Sequence, residues 1–284
     1  MVQTLRSRVK NALRSLKLRR RQRAHRRRLA AFLARVRPIS TEHPLTRIGG
    51  DGDGGYLVPD DLDGVSACFS PGVAGVADFE SDLASRGMRC FLADYSVDAP
   101  PVTSPLFDFE KKYLGAASND VYMTLDDWVG RKAGSGDLLL QMDIEGAEYD
   151  VLLAAPAELL ARFRIIVIEF HNLHGLFDRN ALEPIDRAFR KLLAAFAVVH
   201  IHPNNCFDPV TQGDIAIPPV MEFTFLRRDR IARTGSAPTY PHELDRANVP
   251  GRPDYALPAC WHSQRRHRLQ AFLSSPPAGM DSRG

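Results

Sequence analysis

Acidic residues are missing from the first forty-one positions: Glu42 is the first of the 34 in the chain. Fourteen of the 37 Lys and Arg fall in that stretch, which leaves 23 bases against 34 acids, a net of −11, for everything after it. The overall +3 therefore conceals an acidic body behind a strongly basic arm, and any affinity for an anionic partner belongs to the arm. Cysteine is scarce as well. Cys68, Cys90, Cys206 and Cys260 make no CxxC pair and no short loop, which excludes a zinc signature and a disulfide framework and suits a reducing cytosol. No apolar run reaches the roughly 18 residues of a membrane span, and no apolar segment follows the basic N-terminus as in a signal peptide. Glycine and proline, 20 of each, show no triplet period, so collagen-like sequence is excluded. A composition 44% hydrophobic and 25% charged over 284 residues excludes wholesale disorder and leaves room for one large α/β domain or two small ones. The expectation is a cytoplasmic protein, peripheral at the inner face of the membrane if the arm binds there.

Three segments are expected: a basic amphipathic arm (1–41), a main domain (42–230) and a Pro/Arg/His-rich extension packed on or near it (231–284). In the arm, Leu5, Val9, Leu13 and Leu16 recur at helical spacing among Arg and Lys. Arg19-Arg20-Arg21 and Arg26-Arg27-Arg28 follow, then a second apolar patch of Leu29, Phe32, Leu33 and Val36. Such a helix can lie on an anionic membrane, its stripe among the headgroups and its Arg near phosphates. A solvated basic leader is the alternative. Nucleic acid suits it less, since no aromatics are interleaved for base stacking.

From about Thr46 the chain repeats a short apolar run, a turn and a helical stretch, the pattern of βαβ units on a parallel sheet. Strands are predicted at Val65–Phe69, Arg89–Ala93, Leu138–Ile144, Ile165–Phe170, Ala197–Ile201 and Met221–Leu226, and helices at Phe79–Arg86, Glu148–Leu153, Ala157–Ala161 and Pro184–Ala195. Chemistry in an open α/β sheet gathers at the carboxyl ends of the strands. Those ends carry the loop Ser70 to Asp78 with Gly72 and Gly75, then Asp94, then Asp143 to Glu148, then Glu169 and His171, then His200 to Asn205. Gly72 and Gly75 allow a backbone close to a ligand at a helix N-terminus. Asp94, about 20 residues on, is placed to accept hydrogen bonds from ribose hydroxyls. The pair fits an adenosine-containing cofactor, a dinucleotide or S-adenosylmethionine, and the spacing does not separate the two.

Arg47-Ile48-Gly49-Gly50-Asp51-Gly52-Asp53-Gly54-Gly55-Tyr56-Leu57-Val58 resembles the opening motif of the FkbM-type methyltransferases. Met142-Asp143-Ile144-Glu145-Gly146-Ala147-Glu148-Tyr149-Asp150-Val151-Leu152 is similar to their most specific stretch, and Thr124-Leu125-Asp126-Asp127-Trp128 stands where that family has its Leu-Asp-Asp segment. The similar motifs span about residues 46–226. The resemblance implies a Rossmann-like class I methyltransferase fold with a mostly parallel seven-stranded sheet, S-adenosylmethionine as donor and a hydroxyl acceptor. It also adds Asp53, Gly54, Gly55, Asp126 and Asp143 to the cofactor-binding candidates Gly72, Gly75 and Asp94. One departure stands out: many such enzymes have an acid two residues before the first motif glycine, where this chain has Ser70. Asp53 or Asp143 would then hold the donor's amino-acid end.

Methyl transfer to a hydroxyl needs alignment, which supplies up to roughly 7–11 kcal/mol, and gains from a positioned base, worth about 10²–10⁴-fold. His171, His202, Glu169 and Asp143 are the candidates. A divalent metal (Mg²⁺, Mn²⁺ or Zn²⁺) held by the same four residues would serve by lowering the hydroxyl's pKa. Glu145 and Glu148 have a milder reading as first-turn acids that favour a helix N-terminus. The expected function is O-methylation of a sugar, glycan or related small metabolite. The alternatives are a non-catalytic protein that binds polyanions or a membrane surface on a degenerate methyltransferase fold, and an NAD-type oxidoreductase, which the absence of a continued GxGxxG disfavours.

Overall fold

The computed structural model describes residues 2–235 and 238–263, with the side chains of 2–10 and 12 outside the description. Leu5 and Val9 of the predicted arm stripe, and much of the predicted C-terminal extension (236–237 and 264–284), therefore lie outside the described residues.

Seven runs rich in large apolar residues form one sheet: β1 (Val65–Pro71), β2 (Arg89–Ala93), β3 (Phe107–Glu110), β4 (Asp137–Met142), β5 (Phe163–Phe170), β6 (Phe196–Pro203) and β7 (Met221–Arg227). Their spatial order is β3-β2-β1-β4-β5-β7-β6. All neighbours pair in parallel except β7, which is antiparallel to both β5 and β6. The central strands are covered on both faces, so β5 reads as an almost unbroken apolar run and is buried along its whole length. The order reverses between β1 and β4, which opens a crevice at their carboxyl ends.

Alternate residues face two cores. On one side Phe69, Leu140, Ile168 and Phe223 meet the end of α1 (Val2–Arg35), α3 (Leu125–Lys132), α4 (Glu148–Ala154), α5 (Ala157–Leu160) and α6 (Arg179–Ala195). On the other, Cys68, Leu139, Val167 and Leu226 meet α2 (Asp78–Ser85) and a hairpin of Leu45–Ile48 with Tyr56–Pro59. The hairpin loop folds round Arg47, whose guanidinium donates to the carbonyls of Gly50 (2.7 Å) and Gly52 (2.9 Å).

Departures from the predicted elements have local causes. Pro184 reads as a helix start, yet α6 begins five residues earlier, where Asp178 caps it by accepting from the amides of Asn180 (2.7 Å) and Ala181 (2.9 Å). β3, with the sequence Phe-Asp-Phe-Glu, is half-buried at the sheet edge and too short and acidic to stand out. The predicted boundary at residue 41 crosses the core, because Leu29, Phe32, Leu33 and Val36 are fully buried there. So does the boundary at 230: Leu257, Cys260 and Trp261 belong to the same core, and Trp261 packs edge-on against Phe32 and Phe223. Among the described residues, no helix is long and apolar enough to cross a membrane.

Candidate active site

A cavity of about 460 Å³ opens at the β1/β4 crevice. Its floor is the loop after β1. Gly72 has φ +92°, and a Cβ there would lie 1.5 Å from the carbonyl oxygen of Asp143, so only glycine lets β1 leave this close to β4. Gly75 differs: a Cβ on it would meet nothing within 4 Å, and the residue is part of the cavity wall. Asp94, 4% exposed, closes the end of β2. Its carboxylate accepts from the Ala74 amide (2.9 Å) and from the Ser96 amide and hydroxyl (2.7 Å each), which fixes it at the cavity rim. Tyr113 and Tyr122, with ring centroids 5.7 Å apart, supply an aromatic wall.

A carboxyl group reaches the same cavity from α2. Glu80 lines the cavity, is 3% exposed and is pushed up to about 7, chiefly by burial and against the hydrogen bond from Ser70. The Ser70 hydroxyl has one proton but faces two carbonyl-type oxygens, on Glu80 and on Gln141 (2.7 Å). The hydroxyl donates to one or the other, and the Gln141 amide donates to the Tyr56 hydroxyl (3.2 Å). Nothing in the sequence marks Glu80, since an acid in the first turn of a helix is ordinary. Burial is what distinguishes it.

At the end of β4 the predicted acids converge with His171. The His171 Nδ1 lies 3.1 Å from Glu148, and its Nε2 lies 3.3 Å from Glu145 and 3.8 Å from Asp143. Glu148, fully buried, also accepts from the Gly146 amide (2.9 Å), so it orients the ring as well as capping the turn. Burial opposes charge on His171, but the carboxylates of Glu148, Asp143 and Glu145 outweigh it and hold the imidazole above its ordinary range. Burial, aided by Glu145, Asp53 and Glu148, pushes Asp143 up to about 7 against the pull of His171. Asp143 Oδ1 and Glu148 Oε2 are buried with no hydrogen-bond partner among the described residues. Asp143, Glu145 and His171 each offer a ligand atom within 4.8 Å of the others.

The four-residue metal set expected from the sequence is not what comes together: Glu145 takes a place in it, and His202 and Glu169 belong to a neighbouring row. Glu222 on β7 is paired in register with Glu169 on β5 and with His202 on β6. His202 lies between Glu222 (3.6 Å) and Asp254 (3.3 Å). Burial works against its charge, but those two acids raise it to about 10. An imidazolium has no lone pair, so His202 is an ion-pair partner near neutral pH and not a base. Glu169 accepts from Asn204 (2.6 Å), leaves Oε2 unpartnered among the described residues and is raised well above the carboxylate range by burial, with Asp143 and Glu222 adding to it.

Of the motif residues, Asp53 and Gly54 line the cavity, whereas Gly55 sits behind it, where a Cβ would lie 2.0 Å from the Gly50 carbonyl oxygen. Asp126 does not line it; it is exposed in the first turn of α3, beside the capping Thr124. A second cavity of about 360 Å³ adjoins the His171 side, walled by Phe207, Val210, Pro219 and Val220 together with Glu145 and His174.

The sheet order, its one antiparallel strand and the glycine cradle at the reversal point define a Rossmann-like, class I methyltransferase fold. Residues 116–196 match the family model described as the methyltransferase FkbM domain, a stretch that holds Asp143 to Glu148, Glu169 and His171. Fold and family match are those of a methyltransferase, and the family implies S-adenosylmethionine as donor. A comparison with curated proteins gives no match. Among solved structures, a fibrillarin in complex with Nop5p is 13% identical, covering 58% of this chain and 74% of that one, at a TM-score of 0.37. Methanococcus jannaschii fibrillarin, a pre-rRNA processing protein, is 9% identical over 66% and 83%, also at 0.37. A proposed RNA methyltransferase of Pyrococcus horikoshii is 11% identical over 72% and 98%, at 0.32.

Proposed function

We propose that this chain is an S-adenosylmethionine-dependent O-methyltransferase acting on a hydroxyl of a sugar, glycan or related metabolite. The observation that carries the reading is the position of Glu145, which lines both the 460 Å³ cavity and the 360 Å³ cavity. The group Asp143, Glu145 and His171 thus stands where a donor and an acceptor would meet. The first cavity fits the donor in kind: open space over Gly75, a ribose acceptor in Asp94, tyrosines against a purine and the carboxyl of Glu80 for an ammonium. The second, apolar on one side with polar groups at Glu145, His171 and His174, suits a sugar, which has an apolar face and a rim of hydroxyls.

S-adenosylmethionine, when bound, supplies a methyl group on cationic sulfur, open to in-line attack by oxygen. His171 has its Nδ1 held by Glu148 and its Nε2 turned toward Asp143 and Glu145. In its neutral form, Nε2 takes the acceptor's hydroxyl proton as the oxygen attacks, and Asp143 stabilises the resulting imidazolium. The unpartnered oxygen on Asp143, which lines the first cavity, remains to accept a hydrogen bond from a neighbouring acceptor hydroxyl.

Calorimetric titration with S-adenosylhomocysteine and, separately, NAD tests the donor assignment. The first is expected to bind and the second not. Asp94→Ala should weaken binding by about 1.5–3 kcal/mol, the worth of a hydrogen bond to a charged group. In a screen of hydroxyl acceptors, His171→Gln should lower turnover about 10²–10⁴-fold with donor affinity kept, and turnover should survive EDTA. Loss of turnover in EDTA with rescue by Mg²⁺, Mn²⁺ or Zn²⁺ would move Asp143, Glu145 and His171 to a metal role. Tight NAD binding, or an unchanged Asp94→Ala protein, would refute the donor assignment.

A further inference from the structure

Helix α1 has two apolar stripes, and they lie on opposite sides of it. The later stripe, Leu29, Phe32, Leu33 and Val36, is fully buried against the domain. Phe32 meets Phe189 of α6 at 5.0 Å, Arg28 pairs with Glu183 and Arg35 with Asp186. The earlier stripe shows Leu13 and Leu16 about half exposed, at 53% and 48%. Leu13 and Leu29 are sixteen residues apart, which at 3.6 residues per turn places them roughly 160° apart around the axis. Residues 13–21 are exposed all round, Leu18 at 58% among them, so this part of the helix stands clear of the domain.

Around Leu13 and Leu16 stand Arg14, Lys17, Arg19, Arg20, Arg21 and Arg23, all exposed and none with an acidic partner among the described residues. No Phe, Tyr or Trp precedes Phe32. We propose that this outward face of α1 docks on an anionic lipid surface, with Leu13 and Leu16 sunk between headgroups and the surrounding cations on their phosphates. Charge complementarity selects an anionic partner, and the exposed leucines select lipid over nucleic acid, which offers them no apolar medium. The acidic body, at −11, is repelled by the same surface, so the approach is oriented with the helix leading.

Co-sedimentation of the full chain with vesicles tests this. Binding is expected to phosphatidylcholine vesicles containing phosphatidylglycerol and not to phosphatidylcholine alone, and should weaken as salt rises. The exposed triple variant Arg19→Glu, Arg20→Glu, Arg21→Glu should lose on the order of fivefold or more per residue. Leu13→Ser with Leu16→Ser, which leaves every charge in place, should lose at least tenfold, with the thermal midpoint of both variants unchanged because these residues touch nothing in the core. The proposal is overturned if the wild type ignores the anionic vesicles, if the double leucine variant binds them as tightly as wild type, or if duplex DNA or RNA binds more tightly than the vesicles.

Discussion

Gly72 and Gly75 are three residues apart in one loop, yet alanine should do opposite things at the two positions. At Gly72 the new methyl would lie 1.5 Å from a backbone carbonyl oxygen, which has no rotamer through which to retreat. The backbone there is at φ +92°, costing a non-glycine residue about 1–3 kcal/mol, and overpacking adds about 1–3 kcal/mol. Relief requires moving Gly72 or Asp143, which are tied to neighbouring strands by the bonds from Gly72 N to Ala93 O (2.9 Å) and from Asp143 N to Pro71 O (3.2 Å). The expected loss of about 2–6 kcal/mol is a large part of a typical stability and corresponds to a fall in melting temperature on the order of 10 °C. At Gly75 the methyl meets only open space, so Gly75→Ala should stay within about 0.5 kcal/mol of wild type. It should nevertheless weaken S-adenosylhomocysteine binding at least tenfold, about 1.4 kcal/mol, because that space is the cavity wall. Thermal unfolding and calorimetry on both variants decide the matter. The reasoning is refuted if Gly72→Ala melts within about 2 °C of wild type, or if Gly75→Ala loses stability in step with it, or if Gly75→Ala binds the ligand like wild type.

Two further outcomes follow from the buried titratable groups. Glu80 is held at about 7 against an ordinary 4.5, so the folded chain binds its proton more tightly than the unfolded chain, and stability falls as pH rises from about 4.5 to about 7. Glu80→Gln removes that penalty and should gain up to about 3 kcal/mol relative to wild type between pH 5 and pH 8, at 1.36 kcal/mol per pKa unit; urea midpoints that differ equally at both pH values would contradict it. His202 has the opposite sign: raised to about 10 from 6.5, it contributes stability fully present below about pH 6.5 and lost as pH rises through 10. His202→Gln should therefore cost about 3–5 kcal/mol near pH 6, as expected when one partner of a buried ion pair is removed. The deficit should narrow by pH 10.5, with S-adenosylhomocysteine affinity kept throughout, and a loss of that affinity in the folded variant would return His202 to the binding site.

The sheet was largely legible in the sequence because parallel strands buried on both faces read as apolar runs: β2 matches residue for residue, and β5 and β7 differ only at their ends. Strand ends pointed to Gly72, Asp94, Asp143 and His171, which the structure places along the two cavities. What sequence could not give was pairing at long range. His171 and His202 look alike as histidines at strand ends, and only the folded chain shows which acids each one meets: Glu148, Asp143 and Glu145 for His171, Glu222 and Asp254 for His202. Glu80 and Asp126 look alike as first-turn acids, and only the packing of α2 over the cavity and of α3 away from it tells them apart. The arm misled for a related reason. Its two stripes have similar composition, and which one is covered depends on where α6 lies.

Trp261, fully buried between Phe32 and Phe223, joins the two ends of the described chain through the middle of the core. During synthesis this has a cost in time. Phe32 leaves the ribosome more than two hundred residues before Trp261, an interval of roughly 10–50 s at typical elongation rates of 5–20 residues per second. For the first part of it Leu29, Phe32, Leu33 and Val36 have neither α6 nor the tail to cover them, because α6 begins only at Arg179, and the nascent helix presents both of its apolar stripes at once. Closure of this core thus waits for the tail, and the period of greatest vulnerability to aggregation falls on the same helix that, once the core has closed, has only its earlier stripe left to offer.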